Sequence, residues 1–149
     1  MNKIRSKNKA LAIAGACSDK KALDIVLMKM KKVSGVSDYF VIASGSSTTQ
    51  TRAIADHIEQ VIMAKGERVR HIEGRREASW VLIDCTDVVA HIFLKDTRRF
   101  YDLESLWNKA PKERFTEPKI RKAHPSKKKT KPRSFLRKSG TKPRRSRKS

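Results

Sequence analysis

"WVLIDCTDVVAHIF", residues 80–93, is apolar almost throughout and is interrupted by Asp84, Asp87 and His91. Two readings compete. Either the three polar residues converge as a metal or acid–base site, or they form the turn and one face of a β-hairpin. A two-residue turn at Cys85–Thr86 sets Asp84 opposite Asp87, Leu82 opposite Val89 and Trp80 opposite His91. Strand alternation then places Trp80, Leu82, Val89, His91 and Phe93 on one face, and Val81, Ile83, Val88, Ala90 and Ile92 on the other. Aspartates beside a tight turn are ordinary, because their carboxylates accept local backbone amides. A metal needs three or more converging ligands, and His91 lies roughly 13 Å along the strand from Asp87. The hairpin is the better reading, and no metal is expected.

Upstream, "RVRHI" (68–72) alternates polar and apolar residues as an exposed or edge strand does. Before it stands the clearest helix. Ser47 and Gln50 have capping-box spacing, Gly66 suits the position just past a helix end, and Ile54, Ile58, Val61 and Ile62 make one apolar stripe. "DIVLMKM" (24–30) and "YFVIAS" (39–44) read as buried strands, and a weaker helical pattern covers 6–17. Downstream, Phe100, Leu103, Leu106 and Trp107 predict a last helix stopped by Pro111. The order helix–strand–strand–helix–strand–strand–strand–helix predicts an α/β fold, with helices packed on a mixed sheet of about five strands.

Charge divides the chain. Residues 1–110 hold 19 Lys and Arg against 13 Asp and Glu, a balance of +6, whereas residues 111–149 hold 17 against 2, a balance of +15. The expected organisation is a globular domain over 1–111 and a disordered basic tail over 112–149. The tail has few apolar residues and four prolines from Pro118 onward, so burial cannot offset ordering entropy. Its Lys127, Lys128, Lys129, Arg144, Arg145, Arg147 and Lys148 suit sequence-independent contact with RNA phosphates. The two cysteines, Cys17 and Cys85, have no CxxC spacing, which points to a reduced, cytoplasmic setting. The apolar run 10–16 is too short and too rich in Ala and Gly for export, and no stretch approaches the roughly 20 apolar residues of a membrane span.

Catalytic patterns are weak. "ASGSSTTQ" (43–50) could cradle an anion at a helix start, yet it lacks the Gly-Lys-Ser/Thr of a phosphate loop and the three-glycine dinucleotide fingerprint. Nucleotidyl transfer would need carboxylates on the next strand for two magnesium ions, and "RVRHI" offers none. Cys85, His57, His71, Ser46 and Ser47 assemble into no catalytic set. The start of the last helix reads differently. Arg98, Arg99, Phe100 and Tyr101 cannot all face a core, and Arg and Tyr are favoured at interfaces.

The stretch from Ala22 to Pro111 resembles the ribosomal silencing factor family, also called Iojap-related or RsfS. The marks are "ALDIVLMKM", "SDYFVIASGSSTTQTRAIADHIE", "EGRREASWVLIDCTDVVAHIF" and "RRFYDLESLW", in that order and spacing. The resemblance implies a nucleotidyltransferase-like fold without the metal carboxylates, no cofactor and no catalysis. It implies a translation repressor that binds the large ribosomal subunit through ribosomal protein fourteen and blocks joining of the small subunit. It also implies homodimers. Trp80, Asp84 and Asp87 match the family's W-x-x-x-D-x-x-D hairpin, with His91 on the face of Trp80, and Arg98, Arg99 and Tyr101 match its R-R-x-Y docking loop. Two features depart from the pattern: the Cys85–Thr86 turn, since Thr tolerates positive φ poorly, and the long basic tail, expected to touch ribosomal RNA. The competing reading is an RNA-binding or nucleotidyltransferase-like RNA-processing protein.

Overall fold

In the computed structural model, which describes residues 4–116, six strands form one mixed sheet flanked by helices. In chain order these are α1 (Ser6–Asp19), β1 (Leu23–Lys29), β2 (Tyr39–Gly45), α2 (Thr48–Ala64), β3 (His71–Glu73), β4 (Trp80–Asp84), β5 (Val88–Leu94), α3 (Lys95–Tyr101), α4 (Leu103–Leu106) and β6 (Lys112–Arg114). The sheet order is β3-β4-β5-β2-β1-β6. Only β2 and β5 run parallel, and the crossover between them carries α2, β3 and β4.

One face of the sheet packs on α1 and α2. Ala10, Ile13, Ile54, Ile58 and Ile62 meet Val41, Val81, Ile83, Ala90 and Ile92, all fully buried. Each large aliphatic side chain so buried contributes about 1.5–3 kcal/mol, so this layer dominates the stability. The opposite face carries a smaller cluster of Met28, Met30, Ile42 and Phe93, covered by Leu103, Trp107 and Ala110. The capped helix forms as expected. Ser47 Oγ accepts the Gln50 amide at 3.1 Å, and Glu67 and Gly66 amides close its end onto Ile62 and Met63 carbonyls, with Gly66 at φ +79°.

The hairpin forms, but its register differs from the expected one. Trp80 pairs with Phe93, Leu82 with His91 and Asp84 with Val89, so the turn residues are Thr86 and Asp87. The Cys85 amide bonds the Val88 carbonyl at 2.8 Å and closes this turn. A slip of two residues preserves which side chains share a face, so the two-faced reading survives while each cross-strand partner changes. Thr86 takes φ +78°, which the turn requires and a β-branched residue resists. Asp84 Oδ1 accepts the Thr86 amide at 2.9 Å and helps hold it there.

Two further differences have local causes. The last helix breaks at Asp102, which adopts φ +49°, so Phe100 and Leu106 leave the stripe of Leu103 and stand 80% and 68% exposed. A sixth strand, β6, lies within the segment assigned to the tail. It pairs with β1 at Val26–Met28, and Phe115 then packs against the main core. A three-residue strand of Lys, Glu and Arg has no apolar alternation to announce it.

Candidate partner-docking surface

Trp80 begins β4 and Phe93 sits opposite it near the end of β5, their rings 4.9 Å apart. Because α3 leaves directly from β5, it lays Tyr101 over both rings, 4.7 Å from Trp80 and 6.5 Å from Phe93. Tyr101 remains 49% exposed, and Phe100 packs its edge against it at 5.0 Å. The result is an aromatic step whose inner rings are fixed and whose outer rings face water. Gly74 lets the preceding loop approach: it holds φ +84°, and a Cβ there would lie 2.1 Å from the Trp80 carbonyl. A shallow cavity of about 200 Å³ beside Trp80 is lined by Glu73, Gly74 and Leu82.

His91 lies under this step, against Phe40 at 4.6 Å and Trp80 at 6.0 Å. The Trp80 indole N–H donates to His91 Nδ1 at 3.2 Å, so the neutral ring carries its proton on Nε2. That nitrogen is buried and has no hydrogen-bond partner among the described residues. Burial disfavours the charged form and lowers the pKa to about 4. His91 is therefore neutral near pH 7.

The structure separates the other expected residues. Arg98 is largely enclosed: it bonds Glu104 at 2.6 Å, the Asp24 carbonyl at 2.8 Å and Ser44 Oγ at 2.9 Å. It ties α3 to β1, β2 and α4 rather than standing on the rim. Arg99 is exposed and, among the described residues, pairs with exposed Asp96 alone, which leaves it accessible at the surface. Beside them lies a polar cavity of about 380 Å³ lined by Ser44, Lys95, Arg98, Arg99 and Glu104 among others.

Asp84 and Asp87 are at the far end of the hairpin from Trp80, roughly 13 Å along β4. Asp87 holds Lys9, whose ammonium is buried in the domain: Nζ lies 2.7 Å from Asp87 Oδ1, 3.0 Å from the Cys85 carbonyl and 3.1 Å from Glu67 Oε1. Burial alone would lower the Lys9 pKa, but the hydrogen bonds to Asp87 and Glu67 outweigh it and the net shift is upward. The same bond from Lys9 keeps the Glu67 carboxyl below its usual range. Sequence reading missed this cluster; its one signal was Lys9 standing a turn before Ile13 on the apolar face of α1. The tail cations, Lys127 to Lys129, Arg144, Arg145, Arg147 and Lys148, lie outside the described residues.

Near the Gly45 turn, the buried Thr51 hydroxyl donates to the Ala78 carbonyl at 2.6 Å and ties α2 to the segment before β4. Among the described residues no three His, Cys, Asp or Glu side chains converge as metal ligands, and no helix is long and apolar enough to cross a membrane.

Fold and surface together define a small α/β protein with a preformed aromatic step. Comparison with known proteins sharpens this: residues 3–142 match the family described as "Ribosomal silencing factor during starvation", and the chain belongs to that family. It is 48% identical over 98 residues to the ribosomal silencing factor of Bacillus subtilis, covering 66% of this chain and 83% of that one. It is 32% identical over 89 residues to the mouse mitochondrial assembly of ribosomal large subunit protein 1, covering 58% of this chain and 39% of that one. Among solved structures, a Bacillus halodurans protein superposes with a TM-score of 0.63 at 40% identity, covering 73% of this chain and 98% of that one. A Chromobacterium violaceum protein gives 0.69 at 28% identity, covering 70% and 88%.

Proposed function

We propose that this protein represses translation by binding the large ribosomal subunit through ribosomal protein fourteen, where its bulk keeps the small subunit from joining. The observation that carries this reading is the exposed Tyr101 ring seated on Trp80 and Phe93. An aromatic anchor already held in place binds without the entropy cost of ordering it, which is how a few residues come to dominate an interface. Arg99 supplies an accessible charge that steers the encounter and sets its register. Arg98, His91, Asp84 and Asp87 act from behind: the first two support the aromatic step and the aspartates hold the hairpin. The mouse relative's name concerns large-subunit assembly, which agrees with this choice of partner. The basic tail adds a salt-dependent contact with ribosomal RNA, and two copies can pair as a homodimer.

The test is sedimentation of the full chain with isolated large and small subunits. Co-migration with large subunits alone, together with fewer joined ribosomes, is expected. Equal binding to both subunits would count against the proposal.

A further inference from the structure

A second surface lies at the other end of the sheet. Arg5 and Lys7 at the start of α1, Lys29 at the end of β1, Lys31 and Lys32 in the β1–β2 connection, and Tyr39 at the start of β2 line a cavity of about 660 Å³. Five cations face one carboxylate there, that of Asp38. None of the five makes an ion pair among the described residues, although Lys9, Arg75, Arg98, Arg99 and Arg114 all do. Gathering five like charges from separate segments costs free energy that a bound polyanion returns. The first turn of α1 reinforces the field: it has no side-chain cap and no acidic residue, and Arg5, Ser6 and Lys7, at the positive end of the helix dipole, line the same cavity.

We infer that this basic cavity is a docking surface for the sugar–phosphate backbone of RNA. Exposed lysines and arginines spread over a cavity this wide suit a run of phosphates, because no charged group is buried there to grip a small anion. Half-buried Tyr39 adds a ring against which a base or sugar can lie. The choice of RNA rests on the ribosomal reading above. The two surfaces do not compete: β2 runs from Tyr39 at this cavity to Gly45 beside the start of α3, roughly 20 Å.

The test uses the full chain, so that the tail contributes equally throughout. Wild type and the triple variant Lys7→Ala, Lys31→Ala, Lys32→Ala are titrated into a labelled RNA hairpin at several salt concentrations, with a thermal melt to confirm folding. Losing three phosphate contacts should flatten the slope of log affinity against log salt by about 2 to 3. Amide resonances of Arg5 to Lys7 and Lys31 to Lys32 should shift with RNA. A triple variant elsewhere, Lys20→Ala, Lys65→Ala, Arg68→Ala, should leave the slope almost unchanged. An unaltered slope in the cavity variant, or equal flattening in the control, overturns the inference. So does saturation of the same resonances by ATP as tightly as by the hairpin. Tyr101→Ala should keep hairpin binding. If that variant and wild type alike bind the hairpin but never large subunits, it is the ribosomal reading that fails.

Discussion

Replacing Lys9 by Met should cost about 3 kcal/mol of folding stability. Met keeps the aliphatic stem and removes only the ammonium. All three of its donors are in use, at 2.7 Å, 3.0 Å and 3.1 Å. Removing one partner of a buried charge cluster costs about 3–5 kcal/mol, since the remaining charges lose their counterion. Here Glu67 and Asp87 keep 13% and 20% of their side-chain exposure, so water relieves part of that and places the figure at the low end. For a domain of this size the melting temperature should fall by on the order of 10 °C. The loss should be centred on the turn, because the Asp87 carbonyl also accepts the amides of Asp38 and Tyr39, and β2 begins there. Urea denaturation of Lys9→Met, Asp87→Asn and the double variant measures both the cost and the coupling. The coupling should exceed about 1 kcal/mol, with the double variant more stable than the sum of single losses implies. A single-variant cost below about 1 kcal/mol, or strict additivity, would refute the reasoning.

His91 sets a pH dependence. Its folded pKa of about 4 lies below the usual 6.5, so only the unfolded chain takes up a proton between those values, and stability falls as pH drops from about 6.5 towards 4, by up to about 3 kcal/mol. His91→Phe should flatten that part of a urea-midpoint profile, and an unchanged profile would rule the explanation out. The Glu67 carboxyl, lowered by Lys9, stabilises the fold above its unfolded pKa and ceases to do so as pH falls through the folded one; Lys9→Met should remove that acid limb. Thr86→Gly should stabilise the protein by about 1 kcal/mol, since φ +78° strains a β-branched residue but not glycine; a melt showing destabilisation would contradict this.

Much of the fold was legible because its signals are local. The Ser47 cap, the Ile54–Ile58–Ile62 stripe and the Gly66 terminus lie within one segment, and the hairpin faces follow from alternation alone. The register was not legible. It depends on Thr86 accepting positive φ, which its own chemistry disfavours and the Asp84 side chain and surrounding pairing impose. The break at Asp102 was hidden as well, since Asp is a tolerable helix residue and only its φ of +49° ends α3 there. At the candidate surface, Tyr101 was identifiable from its place beside two arginines, whereas Trp80 stood out only through the family resemblance. That Arg98 turns inward while Arg99 does not depends on Glu104 and Ser44 being within reach. Lys9 was missed because its partners are 58 and 78 residues away, Glu67 and Asp87.

Subunit joining in the presence of the Tyr101→Ala variant tests the central claim most directly. Large and small subunits are mixed with increasing wild-type or variant protein, and the joined fraction is read from a gradient. The wild type should suppress joining, and Tyr101→Ala should need at least about 10-fold more protein, as expected for loss of an interface anchor. Suppression by the variant at the same concentration as the wild type would contradict the account.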